Sequence, residues 1–445
     1  MPMLRSIKGM NDVLPAQVGL WRHVEDCARG VAERFGYSEI RTPLLEHSEL
    51  FSRGVGEATD IVEKEMYAFA DRGGEHLALR PEGTAGVVRA YIEHSLHQAD
   101  PETRLYYLGP MYRRERPQKG RFRQFHQFGV EVFGVAAPEI DAEVMAMLHL
   151  FLTEVGIGDV VLEVNCLGDA DDRPRYLEAL TRFLGSHREA LCGDCQRRLD
   201  RAPLRVLDCK VEGCRSILAD APLVVDHLGE ASRTHFDGVQ RSLDRLGVPH
   251  RVNPRVVRGL DYYTRTVFEA VASGLGSQNA ICGGGRYDRL VEQLGGPAMP
   301  AVGYAQGIER LVMLLEGRTQ VPAHGFKVAL IPTGEAERAR CEILALQLRR
   351  AGITCILDLT GRSVKAQLRR SNRVQADLAV VLGETELREG EVELKMLRGA
   401  GAAERVKLEQ LVKVVQQRAA MTDRGGVEDS ASPGDAHRGH EEPTG

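Results

Sequence analysis

The chain has 445 residues, 43% of them hydrophobic and 27% charged, which leaves room for several ordinary domains with full cores and excludes a disordered, collagen-like or coiled-coil chain. Lysine and arginine number 58 against 63 aspartates and glutamates, and six of those acids fall in the last 25 residues beside only two arginines, so the body is close to neutral. Blanket polycation binding is thereby excluded, and any nucleic-acid contact has to rest on local patches.

In chain order, Ala16 to Phe35 carries an apolar stripe at Leu20, Val24, Ala28, Val31 and Phe35 and stops at Gly36, which predicts one long helix with a left-handed cap. Ser38 to Leu45 follows as an extended segment interrupted by Pro43, which suits an edge or interface strand. Leu77 to Arg80 reads as a short strand and Gly83 to His97 as a helix, putting Glu82 and Thr84 at a strand-to-helix turn. Leu105 to Arg113 and Phe122 to Phe133 form a predicted hairpin around a basic loop. Val144 to Gly156 is a predicted helix, Val160 to Leu167 a strand, and residues 169 to 252 a mostly helical insertion. Val256 to Ala272 and Gln278 to Cys282 read as strands, Gly283 to Gly285, a triplet of the kind common in turns, precedes a helix at Tyr287 to Leu294, and Ala305 to Leu315 is a further helix. Beyond a linker at 318 to 325, strands and helices alternate in a small α/β domain at 326 to 420. Residues 421 to 445 lack apolar anchors and read as a disordered acidic tail.

No apolar run approaches the roughly 18 residues of a membrane span, and Met1 to Pro15 contains no signal-peptide hydrophobic stretch. Nine cysteines at this length do not read as a secreted disulfide framework, and the expected location is cytoplasmic.

Period-two alternation turns Phe125, Gln127, Gly129, Glu131 and Phe133 to one face of their strand, with Gln127 and Glu131 roughly 13 Å apart over bare backbone at Gly129. That face is a floor for a small polar ligand. Between Tyr112 and Arg123 the cations Arg113, Arg114, Arg116, Lys119, Arg121 and Arg123 meet the lone acid Glu115, and guanidinium forks match phosphate oxygens bidentately. A polyphosphate or an RNA end is the natural partner. Arg258 to Thr266 packs a cation, an acid, Tyr262 and Tyr263 into one short stretch, and Gly303 to Arg310 alternates small residues before a helix-borne cation, Arg310.

Together these segments resemble histidyl-tRNA synthetase of the bacterial kind, a class II aminoacyl-tRNA synthetase, from Ile7 to about Val415. Pro43 is similar to the motif 1 proline of that family's dimer interface, Leu79 to Thr84 to its amino-acid-binding turn and Tyr112 to Phe133 to motif 2. Arg258 to Thr266 and Ile281 to Asp288 resemble the two histidine signatures, and Gly303 to Arg310 motif 3. The resemblance implies an α+β catalytic core built on an antiparallel sheet in two parts, 1 to 168 and 253 to 317, with the helical insertion between them and a C-terminal anticodon-binding domain. It implies ATP with Mg2+, L-histidine and tRNA(His) as partners, a homodimer, and no membrane.

By the same resemblance, Glu82, Thr84 and Gln127 hold the histidine α-amino group, Glu131 and Tyr263, with Tyr287 close by, read the imidazole, and Tyr262 also belongs to the histidine site. Arg113, Arg121 and Arg310 bind ATP, Arg258 and Arg113 act catalytically with Arg258 also on the histidine carboxylate, and Arg116 and Gln118 touch the tRNA acceptor end. The competing function is the non-catalytic, histidine-binding regulatory subunit of ATP phosphoribosyltransferase, which shares the fold but lacks the C-terminal domain and degrades the Arg258 segment. Cys192, Cys195, Cys209 and Cys214 have the ligand number of a structural zinc site remote from the chemistry. Four residues between Cys209 and Cys214, rather than the commoner two, tip the sequence reading toward ordinary reduced cysteines.

Overall fold

The computed structural model describes residues 3–57, 59–118, 120–207, 209–257, 259–272, 280–318, 325–398 and 403–428. Two compact units divide the chain, Met1–Val321 and Pro322–Gly445.

The strands are β1 (Ser38–Glu39), β2 (Leu45–His47), β3 (Tyr67–Ala70), β4 (His76–Leu79), β5 (Thr103–Tyr112), β6 (Gln124–Phe133), β7 (Val160–Cys166), β8 (His250–Val252), β9 (Thr264–Ala272), β10 (Ala280–Arg286) and β11 (Ala301–Gly307) in the first unit. The second holds β12 (Lys327–Pro332), β13 (Thr354–Leu357), β14 (Leu378–Leu382), β15 (Glu391–Met396) and β16 (Glu404–Lys407). Eight strands of the first unit form one sheet in the order β1-β5-β6-β11-β10-β9-β7-β8, antiparallel except at its two ends. A three-stranded antiparallel sheet, β2-β4-β3, stands apart from it.

The large sheet is covered on both faces, which is why β6 reads as buried from Gln127 to Phe133. Phe128, Val130 and Val132 point into the main core, packed with Met145, Leu148, Phe151 and Leu152 of the helix Pro138–Glu154. Alternate residues point the other way, where Tyr107, Phe133, Tyr262, Tyr263 and Tyr287 share a second cluster. The predicted N-terminal helix is present as Pro15–Arg34, with Pro15 in its first turn and Gly36 beyond its end at φ +79°.

Several boundaries differ from the sequence reading. The first strand after the insertion starts at Thr264 rather than Val256, since residues 256–257 and 259–263 run irregularly with both tyrosines turned inward. Gly283 to Gly285 do not form a turn but lie inside β10. A β-carbon on Gly284 would meet the Gly303 carbonyl at 2.4 Å and the Phe268 ring at 2.6 Å, so glycine there serves close packing. Ala305 to Gly307 belong to β11, and the helix begins only at Ile308. The helix predicted over 83–97 ends at Glu93, with Ser95 at φ 49° before a short second segment. In the C-terminal unit, β13, β12 and β14 run parallel and β15 and β16 add antiparallel. The final helix, Leu411–Glu428, enters the stretch that composition assigned to a tail; 429–445 lie outside the described residues, as do 319–324 of the linker.

Candidate active site

Glu131 is the centre of a packed polar pocket, a cluster of buried groups rather than an open cavity, on the second face of the sheet, 1% exposed near the end of β6. One carboxylate oxygen accepts from the Thr84 hydroxyl at 2.7 Å and the other from the Tyr287 hydroxyl. Thr84 opens the helix Thr84–Glu93, and its backbone N–H and that of Ala85 donate to the Glu82 carboxylate at 2.7 and 2.9 Å. Glu82 therefore caps that helix at the positive end of its dipole, with burial holding its carboxyl above the ordinary range against the pull of those two N–H groups. Tyr262 closes one side, its ring 5.6 Å edge-on to Tyr287 and 4.7 Å from Tyr263.

The pocket depends on missing side chains. Glu131 pairs with Leu105 on one side and Gly303 on the other, and a β-carbon at Gly303 would sit 2.1 Å from its carboxylate. Gly129, expected to leave open floor, is instead covered by the Tyr107 ring, which a β-carbon there would approach to 2.2 Å. Gly83 admits the same ring from the opposite side, where a β-carbon would come within 2.3 Å of it. Tyr107 is thus a wall of the pocket that the sequence reading passed over.

Gln127, two residues before Gly129, lies at the edge of a cavity of about 490 Å³. Arg113, Arg121 and Arg310 all line it. The Arg113 guanidinium is fixed by a 2.8 Å bond from Nε to the Pro81 carbonyl and lies 5.3 Å from the centre of the Phe125 ring. Arg121 pairs with Glu115 at 3.0 Å, and Arg310 donates to the Ala280 carbonyl. The cavity also contains Glu115, Glu269 and Glu309, hard oxygen donors of the kind a divalent cation takes. Of these, Glu309 accepts from the His126 backbone N–H at 2.9 Å. Gln127 Oε1 is buried without a hydrogen-bond partner, a lone acceptor at the seam between pocket and cavity.

Of the residues expected from sequence, Glu82, Thr84, Gln127, Glu131, Tyr262, Tyr263 and Tyr287 are all buried within this one region. Arg116 and Gln118 are exposed on the loop between β5 and β6, outside the lining of the cavity. Arg258 lies outside the described residues, as does Lys119. Sequence reasoning missed Lys210, Arg255 and Asn253, which reach the cavity from the insertion and its exit and carry no local motif.

Burial raises the Glu131 carboxyl from 4.5 to about 8, against the pull of the hydrogen bonds from Tyr287 and Thr84. The pocket therefore holds a proton near neutral pH. The folded chain keeps a proton there that the unfolded chain releases above about 4.5, so this contribution is complete at low pH and is lost as pH rises through about 8. Glu131→Gln, which cannot ionise, should show a shallower fall in stability over that interval. Urea midpoints at pH 5 and pH 8 for both proteins test this, and equal slopes would reject the protonated carboxyl.

Comparison with known proteins gives a consistent picture. A family model described as histidyl-tRNA synthetase matches residues 9–311, and one described as anticodon binding domain matches 327–418. The chain is 54% identical to the histidine–tRNA ligase of Anaeromyxobacter sp. (strain K), over 89% of this chain and 95% of that one. It is 49% identical to the histidine–tRNA ligase of Syntrophotalea carbinolica, over 91% and 96% of the two chains. The crystal structure of apo S. aureus histidyl-tRNA synthetase superimposes with a TM-score of 0.79 at 35% identity, covering 93% of this chain and all of that one.

Proposed function

The chain belongs to the histidyl-tRNA synthetase family, with histidine–tRNA ligase activity, and we propose that the closed pocket holds histidine while the adjoining cavity holds ATP. The observation that carries this division is the unpartnered Gln127 Oε1 at their junction. A substrate ammonium placed there would satisfy it, with the Glu82 carboxylate supplying the counter-charge.

Imidazole presents one donor and one acceptor when neutral. A protonated Glu131 can match either ring nitrogen, and an isostere lacking those nitrogens would leave Glu131 and Tyr287 with partners only among themselves. With the side chain fixed there, the histidine carboxylate faces the arginine-lined cavity. Its oxygen attacks the α-phosphorus of ATP, the bond to the bridging oxygen breaks, and pyrophosphate departs with that electron pair. Arg113 and Arg310 offset the charge that builds on the phosphorus centre, Arg121 is released from Glu115 to meet the terminal phosphate, and Arg258 bridges carboxylate and α-phosphate as the family resemblance implies. In the second step a hydroxyl of the tRNA terminal ribose attacks the histidyl carbonyl and AMP leaves, with Arg116 and Gln118 on the acceptor end.

A divalent cation belongs to this chemistry, and we take it to be Mg2+, which the carboxylates of Glu115 and Glu269 in the cavity lining would help to hold. When bound, it would supply positive charge against the phosphates. We also propose a homodimer: Leu44, Leu45 and Phe69, beside Pro43 and on the small sheet, are 40%, 44% and 47% exposed, an apolar surface that a second copy would cover. All nine cysteines are free, which supports a cytoplasmic setting for the enzyme, and among the described residues no helix is long and apolar enough to cross a membrane. The regulatory-subunit alternative is disfavoured, because the C-terminal unit that such subunits lack is present and matches an anticodon-binding model.

The test uses full-length chain taken from a sizing column. It should elute at dimer mass and exchange labelled pyrophosphate into ATP only when histidine is present. Exchange that ignores histidine would reject the activation step, and elution at monomer mass would reject the dimer.

A further inference from the structure

We propose that Cys192, Cys195, Cys209 and Cys214 bind one zinc ion, and that this ion fixes the part of the insertion that reaches the ATP cavity. The four residues come from separate places in the insertion: Cys192 precedes the helix Gly193–Arg201, Cys195 lies in its first turn, Cys209 is in a loop, and Cys214 is in the short helix Glu212–Leu218. The fold nevertheless brings all four sulfurs within 4.8 Å of one another. None is in a disulfide.

The geometry is that of a tetrahedral thiolate site rather than of thiols used as small apolar groups. Zinc–sulfur bonds of about 2.3 Å set ligand sulfurs about 3.8 Å apart, and Cys192 Sγ lies 3.8 Å from Cys209 Sγ. The Cys192 backbone N–H points at Cys214 Sγ at 3.2 Å, the kind of outer hydrogen bond that steadies a metal-bound thiolate. Cys195 and Cys214 are buried and the other two half-buried, so the centre would be closed, with no place for substrate. Thiols serving only as packing have no reason to converge four at a time on one point. The four-residue gap that weighs against zinc in the sequence loses its force, because it is spanned by the turn leading into the helix that returns Cys214 to the cluster.

Nor is the cluster remote from the chemistry. Lys210 follows Cys209 directly and lines the cavity with Arg113 and Arg310. Arg205, on the segment between the two cysteine pairs, binds Asp261 of the histidine signature at 2.9 Å, and Arg198 binds Asp60 at 2.9 Å. A metal holding Cys192 and Cys195 to Cys209 and Cys214 would clamp the segment bearing these contacts.

The experiment takes full-length protein purified without chelator and measures metal content by mass spectrometry and alkylation of each cysteine by peptide mapping. About one zinc per chain is expected, with the four thiols protected at least tenfold until a chelator is added, and with cobalt substitution giving the absorption of a tetrahedral thiolate complex. Cys214→Ser should lose the metal and, if it folds, raise the KM for ATP severalfold. Protein that carries no zinc, takes none up from added zinc chloride and has all four thiols alkylated at the same rate before and after chelation would overturn the proposal, and this measurement stands whether or not the variant folds.

Discussion

Arg286→Ala should cost about 3–5 kcal/mol of folding stability, because it strands a buried charge. Arg286 and Asp141 are both 0% exposed on their side chains, joined at 2.5 Å. The guanidinium also reaches Asp288 at 3.0 Å and the Val135 carbonyl at 3.1 Å, and His235 completes the far side of Asp141 at 2.9 Å. The arginine holds the Asp141 carboxyl below its ordinary value although burial pushes it up, so the carboxylate is ionised where no water reaches it. Without Arg286 only His235 remains to answer it. Because Tyr287 follows directly and donates to Glu131, histidine binding should fail with the fold. Urea denaturation of the variant measures the loss, and adding Asp141→Asn should return part of it. A loss below about 1 kcal/mol would mean that the pair is dispensable.

Arg113→Ala should leave folding nearly unchanged and lower histidine-dependent pyrophosphate exchange by about two to three orders of magnitude. A preorganised donor aimed at charge that develops in the transition state is worth about 3–4 kcal/mol. The Pro81 carbonyl and the Phe125 ring orient the Arg113 guanidinium before any ligand arrives, so none of that value is spent on ordering it. Exchange is to be measured at saturating ATP and histidine, alongside the urea midpoint. Activity within a few-fold of the unmodified chain would remove Arg113 from the chemical step.

What the sequence disclosed about this site was its polar residues; what it withheld was how glycines arrange them. Glu131, Gln127 and the cavity arginines stand out because charge inside a strand, or six cations in one short loop, needs explaining. Gly284 gave the opposite impression, since glycine triplets are common in turns, whereas the small residues from Gly303 already allowed close backbone approach, and the pairing of β6, β11 and β10 shows which neighbouring groups fill the space a side chain would need. Tyr107 was within reach of the sequence: a hairpin centred on the basic loop sets Tyr107 opposite Gly129, and a large ring beside a bare residue will lie over it. Lys210 and Arg255 were not, because their place at the cavity follows from the path of a long insertion, which no local spacing encodes. The cysteine cluster belongs with them, as four ligands can be counted along a chain but their convergence cannot.

The pairing of β6 with β11 also bears on how the chain is made. Gln127 to Phe133 meet residues 301 to 307, and Tyr287 reaches Glu131 across 156 positions. During synthesis at about 5–20 residues per second, the β5–β6 hairpin leaves the ribosome on the order of ten seconds or more before the strand that completes it exists. For that interval β6 is an open edge with a carboxyl designed for burial, the situation in which nascent chains pair wrongly with one another. High contact order of this kind makes assembly of the amino-acid pocket a late and slow event. The helical insertion lies within that delay, so its own folding is on the critical path to a working site.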